Sequence, residues 1–224
     1  MQTVAIIQPY FVPYGGYFRL FAAADLVVMF DCVQFPRRGW VHRNRLPISA
    51  TESDWLTLPV SKCDRETTIA DLRFPPDARE RLEAAFRRFP LLAQAHKNHA
   101  ALAERVLAIG GEGVAAYLCE LVAHITHTLG LNKPTIRSSE LGISPDLHGQ
   151  DRIIAIARHV GATRYINPSG GRELYDAAAF AAHDLELRFL TPYGGVMDSI
   201  LARLLTEPPA GVAAEIVRES VLVP

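Results

Sequence analysis

Short apolar, β-branched runs alternate with stretches of helical spacing at both ends of this chain, and a helical middle section separates them. Val4 to Ile7 is the first such run. It stops at Gln8, Pro9 and Tyr10, where the fixed φ and missing N–H of proline end a buried strand. Pro13, Tyr14, Gly15 and Gly16 turn the chain, Tyr17 to Ala24 has helical spacing, and Leu26 to Phe30 reads as the next strand. This is the opening of an α/β unit. The same rhythm returns late in the chain, with strands at Thr135 to Ser138, at Tyr165 and Ile166, and at Leu185 to Leu190. Helices are expected from Gln150 to Val160 and from Glu173 to Ala182. Met197, Ile200, Leu201, Leu204 and Leu205 mark a short amphipathic helix, and the tail from Ala210 reads as a small cap.

Between these two halves the pattern changes. Trp55 to Val60 alternates as a strand does and Ile69 to Phe74 reads as another, so a β-hairpin excursion follows the second strand. Pro75 and Pro76 precede a helix from Asp77 to Phe89, which Pro90 ends. A second helix spans Leu91 to Ile109, and a third runs from Val114 to Leu129 between Gly113 and Gly130. The expectation is one domain over residues 1–224, with residues 77–130 a helical insertion or lobe within it. No repeat or linker divides it.

Composition narrows the class. A chain of 224 residues with 49% hydrophobic and 21% charged residues is globular and long enough to bury a sizeable core. A net charge of −1 gives no overall attraction for a polyanion, so nucleic acid is disfavoured as a partner unless a local cluster supplies it. Arg19 interrupts the N-terminal apolar stretch, and no signal-peptide pattern is visible; the expectation is a cytoplasmic protein without membrane insertion. Oligomeric state leaves no mark. Cys32, Cys63 and Cys119 are too few and too irregularly spaced for a zinc site or a disulfide framework and read as reduced thiols. His96 with His99, and His124 with His127, stand i, i+3, but no third ligand accompanies them. They read as the polar side of amphipathic helices, so no metal is assigned.

One segment is chemically distinctive. From Cys32 through Thr51 there is no acidic residue, whereas Arg37, Arg38, Arg43 and Arg45 bring four fixed charges, with Phe35, Trp40 and His42 among them. Arginine forks bind phosphate bidentately, and aromatic faces accept a base or a sugar. Arg37, Arg38, Trp40, Arg43, Asn44 and Arg45 are therefore candidate phosphate or substrate contacts. The plainer alternative is a solvated hairpin whose arginines pair with scattered carboxylates. A second candidate is the turn Asn167, Pro168, Ser169, Gly170, Gly171, Arg172, which leads toward a helix and would present backbone N–H groups to an anion. Ser169, Gly170, Gly171, Arg172 and nearby Tyr175 are assigned to the same contacts.

Several blocks resemble the WbqC-like family, bacterial proteins often encoded among genes for O-antigen and other surface-polysaccharide biosynthesis. They are IIQPYFVPYGGYFRLFAAAD (residues 6 to 25), FDCVQFPRRGWVHRNR (30 to 45), WLTLPV (55 to 60), PTIRSSEL (134 to 141), DRIIAIARHVGATRYINPSGGRELYD (151 to 176) and MDSILARLL (197 to 205). The resemblance is essentially full length. The family tends to carry Asp where this chain has Cys32 and Asn where it has His42. Tyr14, Gly15, Gly16 and Tyr17 also fall where HIGH-type nucleotidyltransferases carry the HxGH signature, with tyrosine in place of both histidines. This second likeness implies a Rossmann-like, mostly parallel sheet of the nucleotidyltransferase (HUP-like) type. It does not bring the adenylylation chemistry, because tyrosine offers no cation at neutral pH.

The resemblance implies a transferase-like enzyme of surface-glycan biosynthesis that takes a small phosphorylated substrate. The cofactor is not identified; a nucleotide or nucleotide-linked donor fits. Gln8, Tyr14 and Tyr17 at the C-terminal edge of the first strand are expected to face the reacting group, and Asp31, ending the second strand, is the candidate general base or ribose acceptor. Arg152 and Glu173 are secondary candidates. The alternatives are a non-catalytic nucleotide- or RNA-binding protein built on the Phe35 to Arg45 patch, or a degenerate nucleotidyltransferase kept as a scaffold.

Overall fold

A computed structural model describes residues 1–98, 100–111 and 113–224. The first half contains β1 (Thr3–Ile7), α1 (Gly15–Ala23), β2 (Leu26–Met29), β3 (Arg43–Pro47) and β4 (Ser53–Thr57). A helical section follows, with α2 (Ala78–Phe86), α3 (Pro90–Asn98), α4 (Ala100–Leu107) and α5 (Val114–Thr128). The second half contains β5 (Thr135–Arg137), α6 (Gly149–His159), β6 (Arg164–Asn167), α7 (Ala177–Ala181), β7 (Glu186–Leu190), α8 (Ile200–Thr206), α9 (Pro209–Arg218) and β8 (Leu222–Val223).

Among the described residues six strands form one sheet in the order β5-β2-β1-β6-β7-β8. All neighbours are parallel except the β7–β8 pair. Strand order grows outward from β1 through β2 to β5, then jumps to the other side of β1 with β6. The topological switch point therefore lies between β1 and β6, where doubly wound sheets open a crevice beyond their strand C-termini. The fold is α/β and Rossmann-like, with the separate antiparallel hairpin β3–β4 beside it.

Period-2 alternation divides the sheet between two apolar layers. Val4, Ile6, Val28 and Tyr165 face a layer made with Ile153, Ile156 and Ala157 of α6 and Phe180 of α7. Ala5, Val27, Met29 and Ile166 face the opposite layer with Phe18 and Phe21 of α1, Leu118 and Leu121 of α5, and Ile200 and Leu201 of α8. Among the described residues the helical section has no core of its own. Leu82, Phe86, Val106 and Val114 pack into the same cluster as Leu46 and Leu56 of the hairpin, so this lobe anchors the hairpin against the sheet.

Several boundaries differ from the pattern reading. Ile69 to Phe74 is turn and irregular chain rather than strand; Thr68 just before it makes an isolated bridge with Gln34, and the Ile69 N–H donates to the Val33 carbonyl at 2.9 Å. The residues after Pro168 form a 3₁₀ turn, Ser169–Leu174, and the helix starts only at Ala177, capped by Asp176, whose carboxylate accepts from the Ala178 N–H at 3.0 Å. The tail is more than a cap: α9 packs on α1, and β8 pairs antiparallel with β7. Two buried cations tie this end together. Arg203 donates to both carboxylates of Glu207 and Glu215 at 2.7–2.9 Å, and Arg19 donates to the Thr191 carbonyl and hydroxyl.

Candidate functional site

An open cleft of about 830 Å³ lies at the switch point. Its floor is the end of β1, Ile7 and Gln8, beside the end of β6, Asn167 and Pro168. One wall is the loop after β1 with Tyr10, Pro13, Tyr14 and the buried Tyr17. The opposite wall is the 3₁₀ segment with Gly170, Gly171, Leu174 and Tyr175. The hairpin closes a third side with Trp40, Asn44, Arg45 and Ser53, and Met197 and Asp198 lead in from the segment before α8.

The loop after β1 is held by its neighbours rather than by its own regularity. Val12 is fully buried with φ at +40°, a left-handed conformation that a β-branched side chain resists. Its carbonyl accepts from Asn44 Nδ2 at 2.6 Å and from Ser199 Oγ at 2.6 Å. Asn44 also donates to the Phe11 carbonyl at 3.3 Å and accepts from the Arg45 N–H at 2.7 Å. A hairpin residue and the N-cap of α8 thus clamp one strained peptide, and strain of this kind persists only when surrounding structure over-determines it. The Ile200 N–H donates to the Pro13 carbonyl at 2.7 Å, which holds Asp198 beside Pro13 and Tyr14.

Close approach explains two glycines. A Cβ on Gly16 would stand 2.2 Å from the Tyr14 ring, which packs over the first turn of α1 with Tyr193. A Cβ on Gly171 would stand 1.9 Å from Asn167 Nδ2. Asn167 is oriented in turn by the Tyr165 hydroxyl, which donates to its Oδ1 at 3.0 Å. Glycine at 171 therefore lets an oriented amide sit at the cleft floor.

The tyrosines are donors here. Burial raises the pKa of Tyr10 and Tyr14 and raises that of Tyr17 further, so all three stay protonated at neutral pH. The Tyr17 hydroxyl donates to the Gln8 carbonyl at 3.1 Å. It braces the floor of the cleft from beneath.

Of the residues the sequence singles out, the structure brings Gln8, Tyr14, Tyr17, Trp40, Asn44, Arg45, Gly170, Gly171 and Tyr175 to the cleft. Others lie elsewhere. Asp31 has no solvent exposure, and its carboxylate accepts from Arg137 Nε, the Ser139 N–H and the hydroxyls of Ser138 and Ser139 at 2.7–3.1 Å. It fastens β2 to the turn after β5 and is not among the residues that line the cleft. Arg37 donates to the Cys63 carbonyl on the outer side of the hairpin, and Arg38 is exposed on the turn before it. Arg43 donates to the carbonyls of Gly39 and Arg38 and stacks 4.3 Å over the Trp55 ring. Arg172 lies 4.7 Å over the Phe189 ring, and Ser169 begins the 3₁₀ turn without lining the cleft. Arg152 is buried and donates to the Cys32 and Pro145 carbonyls; Glu173 is exposed. The Gly171 N–H, one of the donors expected to face an anion, is already bonded to the Pro168 carbonyl at 3.1 Å.

Arg45 is the arginine of the four that lines the cleft, where its Nη2 donates to the Ser53 carbonyl at 3.3 Å, and Asp198 is the one carboxylate among the described lining residues. The sequence does not single out Asp198. Its signal is weak because a lone acid one position before an N-cap serine looks like an ordinary approach to a helix, and the bond from Ile200 to Pro13 brings it to the site. No group of three or more His, Cys, Asp or Glu side chains among the described residues is placed to hold a metal ion, and His99 lies outside the described residues.

Fold and cleft together define a Rossmann-like α/β protein whose polar and aromatic side chains converge at the switch point of its sheet. Its sequence pattern carries this further: the chain belongs to the WbqC-like protein family, whose pattern matches residues 8–195. It is also similar to the uncharacterized protein Rv1507c of Mycobacterium tuberculosis (strain ATCC 25618 / H37Rv), at 28% identity over 198 residues that cover 80% of this chain and 78% of that protein. No solved structure matches.

Proposed function

We propose that the switch-point cleft is the active site of a transferase-like enzyme of surface-glycan biosynthesis, acting on a nucleotide-linked or otherwise phosphorylated substrate. The observation that carries this reading is the composition of the cleft. Its volume of about 830 Å³ suits a nucleotide-sized molecule. Tyr10, Tyr14 and Trp40 offer ring faces, Gln8 and Asn167 offer amides on the floor, and Arg45 supplies a single cation at the hairpin side. A ring stacks on an aromatic wall while a guanidinium meets phosphate oxygens. The family's association with surface-polysaccharide genes supplies the biological setting.

In this reading Asp198 takes the role first given to Asp31. An acceptor O–H or N–H loses its proton to the Asp198 carboxylate as the acceptor's lone pair bonds to the transferred group. The bond from that group to the phosphate-bearing fragment breaks, and its electron pair leaves with that fragment, whose charge Arg45 offsets. Protonated Tyr14 stands by to donate a hydrogen bond.

A second reading has one specific observation in its favour. Asp198 and Arg45 are the fixed-charge groups among the described lining residues, a sparse set for catalysis, so a binding protein without turnover uses the same cleft equally well.

A thermal-shift screen of nucleotides, nucleotide sugars and coenzyme A tests the site. A phosphorylated ligand should stabilise the wild type, and Arg45→Ala should weaken the response roughly tenfold or more, the value of one charge-assisted contact. Gly170→Val, at a lining position where an added Cβ meets nothing within 4 Å, should narrow the cleft and weaken the ligand response. Arg38→Ala is the control and should respond as wild type. If no phosphorylated ligand stabilises the protein, or Arg45→Ala behaves like Arg38→Ala, the reading fails. Asp198→Asn separates enzyme from binding protein, since it should retain ligand binding and abolish turnover.

A further inference from the structure

Among the described residues seven large apolar side chains stay exposed; Met1, Val217 and Val221 lie away from the cleft, and the other four gather at it. Trp40 at 45% exposure, Leu174 at 71% and Met197 at 66% all line the same cleft, and Val196 adjoins Met197. They come from three separate parts of the chain: the turn before the hairpin, the 3₁₀ segment after β6, and the segment before α8. Exposed apolar side chains gathered at one concave site are what the apolar part of a ligand covers.

The lining of the cleft is mixed in polarity. Gln8, Asn167, Arg45 and Asp198 supply polar groups, and Trp40, Leu174 and Met197 are apolar side chains that stay open to solvent. A wholly polar ligand such as a nucleotide sugar satisfies the polar groups and leaves the exposed apolar ones wet. A ligand with a charged head and an aliphatic chain satisfies both. Because Leu174 and Met197 line the cleft itself rather than a face beside it, the complement is a chain emerging from the site and not a separate protein surface.

We propose that the substrate carries an aliphatic chain that lies against Trp40, Leu174 and Met197 while its phosphorylated head occupies the floor; the head rests on the function proposed above, the chain on the apolar rim alone. Two kinds of molecule share this chemistry, acyl thioesters of a phosphopantetheine carrier and isoprenoid phosphates.

The test measures affinity by quenching of tryptophan fluorescence, with Trp40 at the rim as reporter. One arm is coenzyme A with its acetyl, hexanoyl and decanoyl thioesters. The other is phosphate, geranyl phosphate and farnesyl phosphate. Decanoate is a control, and all concentrations stay below micelle formation. A fully buried methylene is worth roughly fourfold in affinity, so a chain covered on one side should gain about twofold per methylene until it outgrows the rim. The pair Leu174→Ser and Met197→Ser should flatten this slope without changing affinity for the head alone, and both positions are exposed enough for the variant to fold. The arm that shows the slope identifies the source of the chain. Heads that bind with no dependence on chain length overturn this inference and leave the proposed function standing. Decanoate binding as tightly as decanoyl-coenzyme A overturns the phosphorylated-substrate reading and leaves the rim. A slope that survives in the double serine variant overturns the assignment of the rim, and no binding in either arm overturns both.

Discussion

Replacing Asn44 by alanine should loosen the whole cleft, and the effect can be worked from its bonds. The side chain is 6% exposed and gives its Nδ2 group to the Val12 and Phe11 carbonyls at 2.6 and 3.3 Å. Alanine removes both donors from buried oxygens. Val12 keeps the Ser199 hydroxyl, so the expected loss is about 1–3 kcal/mol, the cost of one poorly satisfied buried group. For a chain of this length that lowers Tm by roughly 3–10 °C. Asn44→Asp distinguishes the clamp from mere volume. Its carboxylate would face two carbonyl oxygens, so the fold favours the protonated acid, whose pKa rises above its unfolded value. The deficit should be large at neutral pH and shrink on acidification, as a protonated carboxyl restores one donor. Urea denaturation of the three proteins at pH 7 and near pH 5, followed by circular dichroism, provides the measurement. If Asn44→Ala stays within about 0.5 kcal/mol of wild type while the ligand response disappears, Asn44 is a ligand contact and the clamp argument is wrong. If Asn44→Asp is no less stable than Asn44→Ala at pH 7, the donors do not point at those carbonyls.

Two further predictions concern other parts of the molecule. Gly171→Ala drives a methyl into Asn167 Nδ2 and should cost about 1–3 kcal/mol by urea denaturation, whereas Gly170→Ala, with open space, should be nearly neutral; equal effects would refute the close-packing account. The carboxyls of Glu207 and Glu215 are held below their ordinary value of 4.5, chiefly by hydrogen bonds from Arg203. Their stabilisation is complete above that value and is lost as pH falls through the lowered values, because the unfolded chain then binds more protons. Glu207→Gln should make the acid limb of a Tm-versus-pH curve shallower, and an unchanged limb would show that this pair does not carry it.

The strands and the two loops at the switch point were legible because apolar runs stop abruptly at Gly and Pro, which local sterics enforce. The arginines were less so. Counting Arg37, Arg38, Arg43 and Arg45 as one cluster ignores the direction of each side chain. On β3 the alternation sends Asn44 and Leu46 inward and leaves Arg43 to stack on Trp55 of the partner strand. Period 2 across RNRLP contains part of this information, since an asparagine sharing a face with a buried leucine belongs to the clamp rather than to the solvent. Asp31 looked reactive because it ends a strand, but its partners Arg137, Ser138 and Ser139 are distant in sequence. Asp198 escaped for the converse reason: its environment is made by Pro13 and Tyr14. Taken from Ala210 the tail suggests only a small cap, although Pro209 at a helix start with Val212 and Ile216 four apart encodes α9.

The strained Val12 carbonyl accepts from residues 32 and 187 positions away along the chain. During synthesis the hairpin donor emerges early, but the Ser199 donor emerges 187 residues after the carbonyl it will bond. Strand β1 likewise waits at the centre of the sheet for β6. The cleft is therefore assembled through contacts of large sequence separation, which are slow to close. Until then the apolar segments that will enclose β1 stand exposed on the nascent chain, so the interval before Ser199 appears is the period in which this protein most depends on protection from aggregation.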